Sequence, residues 1–417
     1  MTSSVLITFL GRAPRSEQRY RTTRYDFGDG TPEEETAFFG WALHKRLKPR
    51  RLVIYGTAGS MWDHLFEKDI DLGASGEQDR LGLMDAVEEQ RVKQEQLDQL
   101  APLLETSLGV PVQLRIIPYC RTEAEQVELL QIMADDVQIQ ERVHIDVTHG
   151  FRHLPMLAML AALYLQQLKQ ADVAGIWYGS FDPDTQKAPV YDLSGLLRIA
   201  RWLQAFASFD RDGDYRAFTP LLHDSGMTND ICQQLDAAAY FENILNVGEA
   251  TGQLRKALQA LDAAQATLTP DAQLLMPALR ERLDWISESK QFEKQIQLAR
   301  HSLEKGDYLR AVLYTYESVI TRLCQLGGKD SNSFEDREAI RKDYERVLHE
   351  KRSAETENYR LLKNVRNQVA HGSRGSIGEV QKIILSEARM REFLERVLKA
   401  VDKEQLPAAD TVSRIVP

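Results

Sequence analysis

The chain has 417 residues, 43% of them hydrophobic and 27% charged. That globular balance excludes a disordered chain, and the length points to two or three domains. There is no apolar run of about 18 residues and no basic, apolar leader at the start, so neither a membrane partner nor secretion is expected. The net charge of −10 disfavours a general nucleic-acid coat but leaves room for a local basic site. Cys120, Cys232 and Cys324 lie far apart with no CxxC or zinc spacing, which is the pattern of a reduced, cytoplasmic protein.

Prolines and glycines concentrate in residues 1–200, and residues 278–406 contain no proline. Proline disrupts a helix interior by about 3 kcal/mol, so the second half is expected to be all-helical. In the first half, short β-branched runs alternate with helical patterns, the signature of a parallel α/β sheet. The runs are Val5–Leu10, Leu52–Tyr55, Val112–Ile117, Val143–Val147 and Val173–Tyr178. Their unbroken apolar character suits strands covered on both faces. Thr31-Pro32-Glu33-Glu34 predicts a capped helix start. Asp79–Leu108 predicts one long helix, and Phe151–Lys169 a helix with Leu154, Leu157, Leu160, Ala161 and Leu165 on its apolar face. The Asp-, Gly- and Pro-bearing stretch 209–230 predicts a linker or turn cluster, and a further division is expected around Thr269–Pro277.

Three of the expected strands run into polar, glycine-containing turns: Leu10-Gly11-Arg12, Gly56-Thr57-Ala58-Gly59-Ser60 and Thr148-His149-Gly150-Phe151-Arg152. In open parallel sheets, ligands bind beyond the carboxyl ends of the strands, and glycine lets backbone approach a phosphate. Residues 10–25 hold five arginines (Arg12, Arg15, Arg19, Arg21, Arg24) against Glu17, which favours an anionic ligand. Taken one by one, such turns are equally read as ordinary connections with a solvated arginine face. His149 is open to either a structural role or a hydrogen bond to a nucleotide. No GxGxxG or P-loop pattern is present.

In the second half, Arg366-Asn367-Gln368-Val369-Ala370-His371 precedes Gly372, a helix stop. Five helical steps put Arg366 and His371 about 140° apart, with His371 in the last turn, where the negative helix end favours imidazolium. The pair suits metal-free RNA cleavage. A 2′-hydroxyl attacks the adjacent phosphate, histidine moves a proton, and guanidinium stabilises the charged transition state. Complete acid–base work would use two such histidines, and a symmetric homodimer supplies them. Residues 350–375 carry six Lys/Arg and three Glu. The pattern alone also fits a surface arginine and a capping histidine on an amphipathic helix. No clustered His/Asp/Glu set suggests a metal.

Taken together, these segments resemble the CRISPR-associated CARF–HEPN proteins, ancillary effectors of type III CRISPR systems. The resemblance rests on VLITFLG (Val5–Gly11), LVIYGTAGSMWD (Leu52–Asp63), HIDVTHGFRHLPML (His144–Leu157), GDYLRAVLYTYESVITRLC (Gly306–Cys324) and RNQVAH (Arg366–His371). It implies a Rossmann-like CARF domain over 1–200, a helical insertion over 201–290 that matches no known segment, and a HEPN ribonuclease domain over 291–417. It further implies a homodimer, or a higher assembly of dimers. The CARF domains bind a cyclic oligoadenylate, cyclic tetra-adenylate first and cyclic hexa-adenylate second, and the HEPN pair then cuts single-stranded RNA in antiviral defence. By position, Arg366 clamps phosphate, His371 is the general acid or base and Asn367 supports them. Leu10–Arg12, Gly56–Ser60 and Thr148–Arg152 become the messenger-binding loops. Two alternatives are a messenger sensor without catalysis and a messenger-degrading enzyme acting through Thr148 and His149. Glu317 is expected to be a solvated helix residue rather than an orienter of Arg366, and Tyr314 and Tyr316 are expected in a core or interface.

Overall fold

The computed structural model describes residues 4–13, 15–16, 19–67, 73–150, 153–350, 352–372 and 378–415. The chain divides into two compact units, Met1–Arg198 and Ile199–Pro417, with the division inside the helix Ser194–Asp212.

The first unit is α/β. Its strands are β1 (Ser4–Leu10), β2 (Arg15–Ser16), β3 (Arg19–Tyr20), β4 (Thr23–Asp26), β5 (Glu34–Thr36), β6 (Arg51–Gly56), β7 (Val112–Ile116), β8 (Arg142–Asp146), β9 (Asp172–Gly179) and β10 (Lys187–Asp192). Eight form one sheet in the order β5-β4-β10-β9-β8-β1-β6-β7, and β2 pairs only with β3. The central run β9-β8-β1-β6-β7 is parallel throughout and contains all five strands expected from the apolar runs. Alternation along β1 and β6 splits the core between the two faces. Leu6, Leu10, Leu52 and Ile54 face one layer, and Val5, Ile7, Phe9, Val53 and Tyr55 face the other. Register aligns Leu10 with Gly56, Gly56 with Ile116 and Thr8 with Asp146, so the turns after these strands emerge at one edge.

Several local expectations are corrected. Thr31–Glu34 does not start a helix. Asp29 accepts hydrogen bonds from the Thr31 amide and hydroxyl, and Glu34–Thr36 pairs antiparallel with β4. The helix begins at Phe39. The expected Asp79–Leu108 helix is two helices, Gly73–Glu88 and Gln94–Leu108. Between them Gln90 adopts φ 55°, and the Val92 amide donates to the Ala58 carbonyl at 3.2 Å, pinning the break against the β6 turn. On the helix Leu154–Lys169, Leu154, Leu157, Ala161 and Leu165 are buried, but Leu160 is 55% exposed because it lies on the opposite face.

The second unit is all-helical among its described residues. Its stretch 209–230 is folded rather than a linker, since Tyr215, Phe218 and Leu222 enter the core. The expected division around Thr269–Pro277 is only a break between helices before Pro270–Arg282, since one core runs from Trp202 to Val412. At its centre lies the helix Tyr308–Leu326. It packs against Gln291–Glu304, Phe334–His349, Ala354–His371 and Glu387–Asp402. Tyr314 and Tyr316 are buried there as expected, and the Tyr314 hydroxyl donates to the Glu242 carbonyl at 2.6 Å. Among the described residues no helix is long and apolar enough to cross a membrane. The three cysteines are free and buried.

Candidate functional site

Two clefts, one in each unit, collect many of the residues singled out by sequence. The first lies beyond the carboxyl ends of β1, β6 and β7. It encloses about 340 Å³ and is lined by Leu10, Gly11, Arg12, Gly56, Thr57, Gly59, Ser60 and Gly150, together with Phe9, Tyr55, Gln90, Ile117, Tyr119, Arg121 and Leu154.

The turns are tightly braced. An added Cβ on Gly11 would sit 2.8 Å from the Gly150 amide nitrogen, and the Met61 amide donates to the Gly11 carbonyl at 2.9 Å. The Thr57 amide donates to Ser60 Oγ at 2.9 Å, and Trp62 Nε1 donates to the Thr57 carbonyl at 2.8 Å. The β8 turn hangs from a buried carboxylate. Asp146 accepts from the Thr8 hydroxyl at 2.6 Å and from the Thr148 amide at 2.8 Å. Burial raises its pKa to about 6, against these two hydrogen bonds, which favour the anion. The Thr148 hydroxyl accepts from the Gly179 amide at 2.8 Å. His149 Nε2 accepts from the Phe39 amide at 3.1 Å, with the Tyr25 hydroxyl 3.4 Å away. Burial, with help from His64, lowers the His149 pKa to about 4, so it is a neutral ring with one nitrogen occupied.

Thr148 and His149 therefore support the cleft from behind, and Ala58 is held outside its lining by the bond to Val92. Phe151 and Arg152 lie outside the described residues. Of the three arginines whose side chains are described, Arg12 lines the cleft. Arg21 donates to Gln186 and covers the Phe181 ring, Arg24 pairs with Glu35, and the side chains of Arg15 and Arg19 lie outside the description. Sequence reasoning missed Gln90, Tyr119 and Arg121. The last two follow β7, whose turn has no glycine to mark it, although the strand-end rule applies there equally. The Arg121 guanidinium stacks over the Tyr119 ring at 4.6 Å, offering a cation and an aromatic face together.

The second cleft, about 430 Å³, is lined by Tyr316, Glu317, Ile320, Phe334, Arg337, Glu338, Arg341, Lys363, Arg366 and Asn367. Its main wall is the helix Ala354–His371. Ser353 caps that helix by accepting from the Thr356 amide at 3.2 Å, and Glu355 and Glu357 occupy its positive end. Tyr359, Leu361, Leu362 and Val365 are its buried face, and Gly372 ends it at φ 60°. Glu355 anchors its first turn by accepting from the Tyr344 hydroxyl, the Ala408 amide and the Thr411 hydroxyl at 2.7–2.8 Å.

Within the cleft most cations are already neutralised. Arg337 pairs with Glu317, Arg341 with Glu338 and Glu345, and Lys363 with Glu345. Glu317 keeps a partly exposed side chain and pairs with Arg337, which the adjacent helix presents to it, rather than with Arg366. Among the described residues Arg366 has no carboxylate partner. Its Nη1 donates to Asn367 Oδ1 at 2.8 Å, its guanidinium lies 4.9 Å from the Tyr316 ring centre, and its Nε is buried without a hydrogen bond. An uncompensated guanidinium of this kind is primed for a phosphate. His371 is exposed at the last helical position and is not part of the lining, so within one chain Arg366 and Asn367 share the cleft and His371 lies beyond it.

Residues 5–183 match the model for the CARF domain of the CRISPR system endoribonuclease Csx1. The chain is also 23% identical over 420 aligned positions to the CRISPR-associated protein MJ1674 of Methanocaldococcus jannaschii. That alignment covers 95% of this chain and 64% of the relative, so the chain spans a little under two thirds of that protein's length.

Proposed function

We propose that this chain, which belongs with the CRISPR-associated proteins carrying a CARF domain, is a ribonuclease switched on by a cyclic oligoadenylate. The observation that carries the reading is Arg366, the one cation in its cleft without a carboxylate partner among the described residues. Beside it are Asn367 and, at the exposed helix end, His371.

In this reading the messenger enters the first cleft, where glycine turns bring backbone close to its phosphates. Arg12 and Arg121 supply charge, and Tyr119 offers a ring for an adenine. Residues 1–200 are the sensing part, 201–290 the inserted helices and 291–417 the HEPN ribonuclease. Cleavage needs no metal. The 2′-hydroxyl is the nucleophile, Arg366 holds the phosphate as charge builds, and His371 transfers the proton.

Because His371 lies outside the Arg366 cleft, two copies of the chain pair their helix ends to complete the acid–base set. A homodimer is also supported by an apolar stripe on the helix Leu154–Lys169, where Met156, Leu160 and Leu168 are 67%, 55% and 62% exposed. The ring is cyclic tetra-adenylate, with the hexamer second.

The test is cleavage of a fluorophore–quencher single-stranded RNA in EDTA, with and without each ring, by wild type and His371→Ala. Cleavage that needs the ring and vanishes in the variant supports the proposal. No cleavage despite measured ring binding overturns it and leaves a sensor without catalysis. Loss of the ring itself that survives His371→Ala would instead indicate messenger degradation.

A further inference from the structure

N-terminal to Arg366 on the same helix there is a separate cleft of about 210 Å³, whose lining includes Leu348, His349, Tyr359, Arg360, Lys363 and Asn364. Leu348 and Tyr359 are almost fully buried and give it an apolar floor. Its rim is cationic. Lys363 is held by Glu345 at 2.8 Å, whereas neither the Arg360 guanidinium nor the His349 imidazole has an ion pair or hydrogen bond among the described residues, and both are exposed. Lys363 also lines the Arg366 cleft, so the two pockets adjoin along the helix with one wall residue in common.

The helical repeat extends that adjacency. Arg360, Asn364, Asn367 and His371 are spaced by four, three and four residues and fall within about 60° of one another on one face. At 1.5 Å per residue the stripe runs about 16 Å, longer than one nucleotide.

We propose that this cleft is a second RNA subsite, holding a nucleotide that flanks the cleaved bond. Arg360 and His349 bind its phosphate, and the apolar floor of Tyr359 and Leu348 receives its base. The inference rests on the ribonuclease reading and deepens it, because it makes the substrate an oligonucleotide laid along the helix rather than an isolated phosphodiester. The stripe runs from unpaired cation to proton donor with no acidic side chain on it, which suits a polyanionic strand.

The experiment measures anisotropy of a labelled single-stranded RNA on His371→Ala protein with messenger present, alone and with Arg360→Ala or Arg360→Lys added. Arg360→Ala is expected to raise Kd about tenfold, as for a hydrogen bond to a charged group, and to reduce the slope of log K against log salt by about 0.7. Arg360→Lys should recover most of the loss. In the catalytic background, Arg360→Ala should raise KM for an oligonucleotide but leave a dinucleotide, which has no flanking phosphate, unaffected. An unchanged Kd and salt slope overturns the subsite. Weaker RNA binding in a protein that never cuts retains the subsite and overturns the ribonuclease reading instead.

Discussion

The Gly11 position provides a stringent test of how the first cleft is built. A Cβ there would lie 2.8 Å from the Gly150 amide nitrogen and 3.3 Å from His149 Cβ. Ordinary contact begins near 3.4 Å, so Gly11→Ala forces the β1 and β8 turns apart by about 0.6 Å. The closest atom is backbone, so no side-chain rotation relieves the overlap. The β8 turn is also fixed from behind by Asp146 and by the Gly179–Thr148 bond. Overpacking of this sort costs about 1–3 kcal/mol. It lowers the melting temperature by several degrees in a domain of this size. The Met61 amide bonds the Gly11 carbonyl, so the displacement also spreads to the β6 turn on the opposite wall. Ring binding is therefore expected to weaken at least tenfold, about 1.4 kcal/mol. Calorimetric titration with cyclic tetra-adenylate and a thermal melt measure both effects. An alanine variant with wild-type affinity and melting temperature would refute the packing argument.

Further outcomes follow from other sites. Asp146 is raised from 3.8 to about 6, so its contribution to stability is full below about 3.8 and is lost as pH rises through about 6, amounting to about 3 kcal/mol. Asp146→Asn should flatten that part of the stability–pH curve measured by urea unfolding, and an unchanged slope would count against a buried, costly anion. Gly82 lies inside the helix Gly73–Glu88 with nothing within 4 Å of an added Cβ, so Gly82→Ala should stabilise by about 0.5–1 kcal/mol in the same assay. Arg366→Lys keeps the charge but loses the planar fork and should lower kcat about a hundredfold with intact ring binding; equal kcat would argue that guanidinium geometry is irrelevant.

The parallel core was legible because VLITFL, LVIY and their counterparts are short runs dominated by β-branched and other apolar residues, as strands buried on both faces require. The strands beyond that core, β4, β5 and β10, were not. TRYD, EET and KAPVYD are short and mix polar with apolar residues, and nothing local separates them from loops. Gln90 was hidden because a helical pattern resumes immediately after it, while the break itself is fixed by the long-range Val92–Ala58 bond. Tyr119 and Arg121 were hidden because Cys120, at φ 56°, makes the turn without glycine. Arg366 stood out by its motif. Its lack of a carboxylate partner emerges only when neighbouring helices show that Glu317, Glu338 and Glu345 are taken by other cations.

In the proposed function, ring binding in one unit controls RNA cleavage in the other. Its most direct test is a titration of cleavage rate against cyclic tetra-adenylate for wild type, Arg12→Ala and His371→Ala. Wild type should show a saturating rise, and Arg12→Ala should reach the same plateau at tenfold or more messenger. His371→Ala should give a flat line while still binding the ring. Cleavage by His371→Ala at the wild-type rate, or by wild type without messenger at its plateau rate, would contradict it.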